Sequence, residues 1–264
     1  MKELTHLSLF SGVGGLDLAA ERAGFRTAGQ CEWADYPHSI LTKHWPDVPK
    51  WRDIRTLTQE DFYAKTGQKT VTIISGGFPC QPFSQAGKRR GQADDRYLWP
   101  EMLRVIRDIR PTWVLGENVA GIVNMALDQV LSDLEAEGYT TGALLFPAYA
   151  VDAPHRRDRT AILAHAGSVG HLHREAVVNY PQAWRETRLY AGPGWKRVAG
   201  QALPWADTAG DGRQDTWPAE PGVCRVADGL PNQLDRIAAL GNAVVPAQFY
   251  PIFQAIADIE NMTI

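Results

Sequence analysis

Leu7-Ser8-Leu9-Phe10-Ser11-Gly12-Val13-Gly14-Gly15-Leu16 runs from an apolar, strand-like segment through a glycine-rich turn into a helix. A turn of this kind at a strand's end lets the backbone approach a nucleotide-like ligand, and it opens a parallel, helix-covered sheet. Glu32 follows about 20 residues later, at the end of a second strand-like run, where a carboxylate can accept hydrogen bonds from ribose hydroxyls. NAD, FAD and S-adenosylmethionine all suit such a site. The run lacks the full Gly-x-Gly-x-x-Gly spacing, which weakens the dinucleotide case, and S-adenosylmethionine carries no pyrophosphate to require it. Asp53 is a further acidic residue placed to accept from an adenine amino group; an ordinary loop aspartate explains its position equally well.

Outward from that turn, strand-like and helix-like segments alternate through residue 165, the pattern of a mostly parallel sheet. Strands are expected over His6 to Phe10, Phe25 to Cys31, Val71 to Ser75, Thr112 to Gly116, Tyr139 to Phe146 and Thr160 to Ala164. Helices are expected over Leu16 to Ala23, Asp35 to His44 and Trp99 to Ile109, the last with Pro100 in its first turn. Leu127, Val130, Leu131 and Leu134 fall at i, i+3, i+4 and i+7, an amphipathic helix that Gly138 stops. From 166 to 229 this periodicity dissolves into Gly, Pro and mixed charge, with Trp184, Trp195, Trp205 and Trp217 spaced through it. Leu234 to Leu240 and Gln248 to Ile256 are again helical in pattern. The expected organisation is therefore a domain over 1–165, a small region over 166–229, and a segment over 230–264 that folds back onto the first.

The strand ending at Ser75 runs into Gly76-Gly77-Phe78-Pro79-Cys80-Gln81-Pro82-Phe83-Ser84. Two glycines allow a sharp exit from the sheet, and two prolines fix φ on either side of the thiol, so the backbone aims Cys80. Glu117-Asn118-Val119 ends the next strand. Arg157-Asp158-Arg159 places two guanidinium groups at alternate positions, which on a strand point to one face. Cys31, Cys80 and Cys224 are too few and too widely spaced for a disulfide framework or a zinc cluster, and no metal is expected.

A net charge of −3 does not resemble a protein that coats nucleic acid by bulk attraction, so any such contact is local, at Lys88-Arg89-Arg90 with Arg96, or at Arg156-Arg157 with Arg159. No apolar run is long enough to span a bilayer. A cytoplasmic monomer with no membrane partner is the resulting expectation.

Together these blocks resemble the DNA (cytosine-5)-methyltransferase family, in the family's order. Phe10 to Gly15 is similar to its cofactor loop, Phe78 to Ser84 to its nucleophile loop, and Glu117-Asn118-Val119 to its acidic motif. Arg157-Asp158-Arg159 is similar to its arginine pair, and Gly241-Asn242-Ala243-Val244-Val245-Pro246 to its closing motif. The resemblance implies a Rossmann-like methyltransferase sheet with helices on both faces, S-adenosylmethionine as cofactor and double-stranded DNA as partner. It also implies that Cys80, Glu117, Arg157 and Arg159 are catalytic. Phe10, Ser11, Gly12, Gly14, Gly15, Glu32, Trp33, Asp53, Ile54, Pro79, Leu98, Asn242 and Val244 would hold the cofactor. Ser84, Gln85, Lys88, Arg89 and Arg90 would meet DNA, and 166–229 would recognise the target. The family often has glutamine where this chain has His155. An RNA cytosine methyltransferase is the nearest rival. A silent DNA-binding regulator and a nicotinamide-dependent oxidoreductase are more distant ones, and neither explains the full set of blocks.

Overall fold

A computed structural model of the 264-residue chain describes residues 2–79, 97–151, 153, 155, 157–167, 188–190, 235, 239 and 241–262. The chain divides into two compact units, 1–118 with 224–264, and 119–223. The division falls at Val119, so residues 119–165 group with the stretch that follows them.

In the first unit, β1 (Thr5–Leu9), α1 (Gly15–Arg22), β2 (Arg26–Cys31), α2 (Asp35–His44) and β3 (Lys50–Trp51) follow one another. Then come α3 (Gln59–Thr66), β4 (Ile73–Gly76), α4 (Trp99–Ile109) and β5 (Trp113–Val119). The strands lie in the order β3-β2-β1-β4-β5, all parallel. Chain order runs outward from β1 in one direction, then returns across it to β4 and β5. Because crossovers between parallel strands are right-handed, this reversal puts helices on both faces of the sheet. It also makes the gap between β1 and β4 the switch point, beyond whose carboxyl ends ligands bind in such sheets.

The strands are buried on both faces and are correspondingly apolar: Leu7, Leu9, Ile73, Ile74 and Leu115 are fully enclosed. α4 shows why its segment is helical, since Trp99, Met102, Val105, Ile106 and Ile109 form one buried stripe and Pro100 occupies the first turn. The helix α3 has only Phe62 buried and no such stripe; Thr58 caps it by accepting from Asp61 N at 3.1 Å.

A last helix, α6 (Pro246–Met262), packs on this unit. Phe253 meets the rings of His6 and Phe25 edge-on at 5.5 and 5.7 Å. Glu260 accepts from Trp113 Nε1 at 2.9 Å and from Lys2 Nζ at 3.0 Å. The expected helix over Leu234 to Leu240 lies almost wholly outside the described residues.

Two polar networks are buried in the same unit. His6 Nε2 and Ser75 Oγ share a 2.7 Å hydrogen bond, and burial pushes the imidazole down to about 3. Asp17 accepts from Ser8 Oγ and from Gln30 Nε2, each at 2.9 Å. Burial outweighs both hydrogen bonds and raises its carboxyl to about 6.

The second unit contains α5 (Leu127–Ala136), β6 (Thr140–Phe146), β7 (Arg159–His165) and β8 (Arg188–Tyr190). Its sheet is antiparallel, in the order β7-β6-β8. Leu127, Val130, Leu131 and Leu134 form the buried face of α5, and Gly138 ends it at φ +86°, where a side chain would be strained. β8 falls in the stretch where no periodicity was expected. No helix among the described residues is long and apolar enough to cross a membrane.

Candidate functional site

At the carboxyl end of β1 the chain turns through Phe10 (φ +52°), Gly12 (φ +55°) and Gly14 (φ +86°) before α1 begins. Gly14 is the helix N-cap; a Cβ there would lie 2.5 Å from the Trp45 ring, so glycine is required by packing as well as by φ. Gly15 is equally constrained, since its Cβ would lie 2.7 Å from the Val244 carbonyl oxygen. At Gly12 a Cβ would meet nothing within 4 Å, so the loop presents an open face there.

The turn is bound to the end of β2. Ser11 N donates to Cys31 O at 3.0 Å, Ser11 Oγ donates to Ser8 O at 3.1 Å, and Gly12 N donates to Glu32 Oε2 at 2.8 Å. Glu32 Oε1 accepts from Ala34 N, also at 2.8 Å. Each carboxylate oxygen thus spends one lone pair on the backbone and keeps another for a ligand. Beside it, Trp33 leaves 68 % of its surface exposed, an unusual position for an indole without a partner. Asp53 caps the short turn Ile54–Thr56, accepting from Arg55 N at 3.0 Å, and Ile54 itself is core at 3 % exposure.

On the neighbouring strand, β4 ends at Gly76, and the chain leaves the sheet through Gly77, Phe78 and Pro79. β5 continues through Glu117 and Asn118, both buried, two residues beyond its last rung with β4 at Gly116. The expected strand, Thr112 to Gly116 ending at Glu117-Asn118-Val119, thus takes in those three residues as strand. Glu117 Oε2 lies 2.7 Å from the place a Cβ on Gly77 would take, and Asn118 Nδ2 donates to Phe78 O at 2.9 Å. Leu98 precedes α4 as its N-cap and is half-buried.

The structure therefore gathers Phe10 to Gly15, Glu32, Pro79, Glu117 and Val244 in the first unit. Asn242 is exposed, beside Val244. Cys80, Ser84, Gln85, Lys88, Arg89 and Arg90 lie outside the described residues, as do the four tryptophans of 166–229.

In the second unit, the shared strand expected for the arginine pair does not form. Arg157 sits at φ +35°, in the left-handed region, and β7 begins only at Arg159, so strand alternation does not align the two side chains. Arg159 Nη1 donates to Asp158 O at 2.9 Å.

Residues 4–190 match the family of C-5 cytosine-specific DNA methylases. The chain belongs to that family. The type II methyltransferase M.FnuDI of Fusobacterium nucleatum is 35% identical over 158 residues, 58% of this DNA methylase chain and 44% of the relative. M.AquIA of Picosynechococcus is 38% identical over 135 residues, covering 50% of this chain and 54% of the relative. The chain matches about half, or less, of the length of these relatives. The methyltransferase EhMeth of Entamoeba histolytica has the same fold over 98% of this chain and 99% of its own, with a TM-score of 0.64 at 15% identity.

Two features of this site were not legible in sequence. Val244 meets the glycine turn through its carbonyl, a backbone contact that no side-chain pattern encodes. Gly77 is needed for the room it leaves to Glu117; the paired glycines signalled a turn, and this tertiary reason lies in another strand.

Proposed function

We propose that this chain is a DNA cytosine-5-methyltransferase that takes the methyl group of S-adenosylmethionine and places it on C5 of a cytosine flipped out of duplex DNA. The observation that carries the reading is the juxtaposition of Glu117 with the Gly77-Phe78-Pro79 exit that leads directly to Cys80. This pair stands at the carboxyl ends of β4 and β5, next to the β1–β4 switch point, with the glycine turn at the end of β1 on the other side of β4.

The residues present fit the cofactor. Gly12 offers an open backbone face, Glu32 has lone pairs to spare for ribose hydroxyls, and the exposed Trp33 ring can stack on a purine. Asp53, half-buried, can accept from an adenine amino group. Leu98, Ile54 and Phe10 would supply apolar walls, with Val244 and Asn242 closing the turn from the far end of the chain. When bound, S-adenosylmethionine supplies an electrophilic methyl on a sulfonium.

Cytosine C5 is a poor nucleophile until C6 carries an added group. The Cys80 thiolate would form the Sγ–C6 bond, and the C5–C6 π pair would move into the ring to make C5 nucleophilic. Glu117 would donate to N3 and relieve the charge that this addition builds. After methylation, loss of the C5 proton lets the electron pair re-form the double bond and expel the thiolate. Arg157 and Arg159 would hold the base carbonyl or a phosphate, tasks suited to a permanently charged donor fork. Extruding the base costs a few kcal/mol, offset by Lys88, Arg89 and Arg90, with Ser84 and Gln85, on the strand. Residues 166–229 would read the target sequence.

The test is covalent trapping on duplex DNA containing 5-fluorocytosine, whose fluorine cannot leave as a proton. With S-adenosylmethionine present, the wild-type chain should give a protein–DNA adduct stable to denaturation, and Cys80→Ser should give none. Absence of an adduct with the wild-type chain, on DNA of random sequence, refutes the reading.

A further inference from the structure

Beyond the last rung between β4 and β5, at Gly76 and Gly116, two side-chain contacts replace the ladder. Asn118 is 5% exposed, and its Nδ2 donates to the Phe78 carbonyl at 2.9 Å. Glu117 lays its carboxylate over Gly77, with Oε2 2.7 Å from where a Cβ would stand. The Phe78 ring packs against Trp99, with centroids 5.0 Å apart, and Phe78 is 2% exposed. Gly76 is pressed against β1, since a Cβ there would fall 2.9 Å from Leu9 O. The segment is thus fixed at three successive residues, and Pro79, with φ set by its ring, is all that separates it from Cys80.

We propose that Asn118 and Gly77 are positioning residues, forming one joint that sets the acid on β5 and the segment leading to the nucleophile at a fixed mutual distance. The inference rests on the methyltransferase reading, in which Glu117 and Cys80 act on the same base. Asn118 works through the Phe78 carbonyl; Gly77 works by leaving room for Glu117. A displacement of about 1 Å in such a pair costs on the order of 100-fold in rate.

The two contacts have separate tests. Asn118→Asp keeps the shape of the side chain but, ionised, has no hydrogen to give the Phe78 carbonyl. Its rate of adduct formation on 5-fluorocytosine DNA and its kcat should fall about 10- to 100-fold. Its cofactor dissociation constant and its KM for DNA should stay within about 2-fold of wild type, because the cofactor turn is untouched. A purely structural role predicts the reverse, a lower melting temperature with wild-type kcat well below it, and that result overturns the inference. Gly77→Ala should fold, since its methyl meets only the far end of a flexible side chain, yet what it displaces is the carboxylate itself. Its loss should therefore be about 10- to 100-fold in the wild-type background and under about 2-fold in Glu117→Gln, as expected of residues acting through one group. Equal losses in both backgrounds overturn it. If wild type itself forms no adduct, the methyltransferase reading falls and takes this inference with it. Wild-type trapping with undiminished trapping by Asn118→Asp overturns the inference alone.

Discussion

Acidification should move two buried groups of the first unit in opposite directions, and single substitutions should separate them. His6 is fully buried and its imidazole is held down to about 3 by desolvation. As pH falls below the ordinary 6.5, the unfolded chain takes up a proton that the folded one refuses, so stability is lost from 6.5 downward. Between 6.5 and pH 4.5 that amounts to two pH units, or about 2.7 kcal/mol. Asp17 behaves oppositely. Its carboxyl is raised to about 6 by burial, so the folded chain binds a proton before the unfolded one does at 3.8. Stability on its account rises as pH falls through 6, by about 2 kcal/mol over the 1.5 pH units to pH 4.5, and is lost again as pH climbs back through 6. In the wild type the two nearly cancel. Urea unfolding followed by tryptophan fluorescence at pH 7 and pH 4.5 reads the difference. On acidification, Asp17→Asn should lose about 2.7 kcal/mol more than a variant lacking both groups, and His6→Gln should gain about 2 kcal/mol relative to the same reference. Surface carboxylates titrate alike in every variant and drop out of the comparison. Identical pH dependence in His6→Gln and Asp17→Asn would refute the assignment of charge states to the two networks.

Gly15→Ala puts a methyl 2.7 Å from a backbone oxygen that cannot swing away, so it should destabilise by about 1–3 kcal/mol and, on the proposed reading, weaken S-adenosylmethionine binding, measured by denaturant titration and calorimetry. Trp113→Phe leaves a buried Glu260 oxygen without its indole donor and should cost about 1–3 kcal/mol in the same unfolding assay. Lys2→Ala removes the other partner of Glu260, but Lys2 is 54% exposed, so that loss should stay below about 1 kcal/mol.

Where one element carries its own signals, sequence was sufficient. Asp35–His44 and Trp99–Ile109 are the helices expected: Pro46 bounds the first, and a buried apolar stripe with Pro100 in the first turn marks the second. The helix Gln59–Thr66 escaped notice because a single buried Phe62 gives no period. Arg157 shows the opposite failure: the Arg-Asp-Arg spelling suggests strand alternation, yet a left-handed φ at Arg157 interrupts the extended backbone. In the site, Glu32 was legible as an acid at a strand's end, but its use as a double acceptor for Gly12 and Ala34 was not. That geometry depends on how closely two strand ends approach, which neither strand encodes alone.

The contact between Gly15 and Val244 also has a bearing on synthesis. The turn built first is completed by a carbonyl that lies 244 − 15 = 229 residues further along the chain. At roughly 5–20 residues per second, a ribosome needs on the order of 10–50 s to travel that far. For that interval the nascent chain carries a glycine turn whose last wall has not been made. On the proposed reading, methyl-donor binding would wait for the final helix to emerge, and a chain truncated before residue 244 should have the sheet's first strands without that wall.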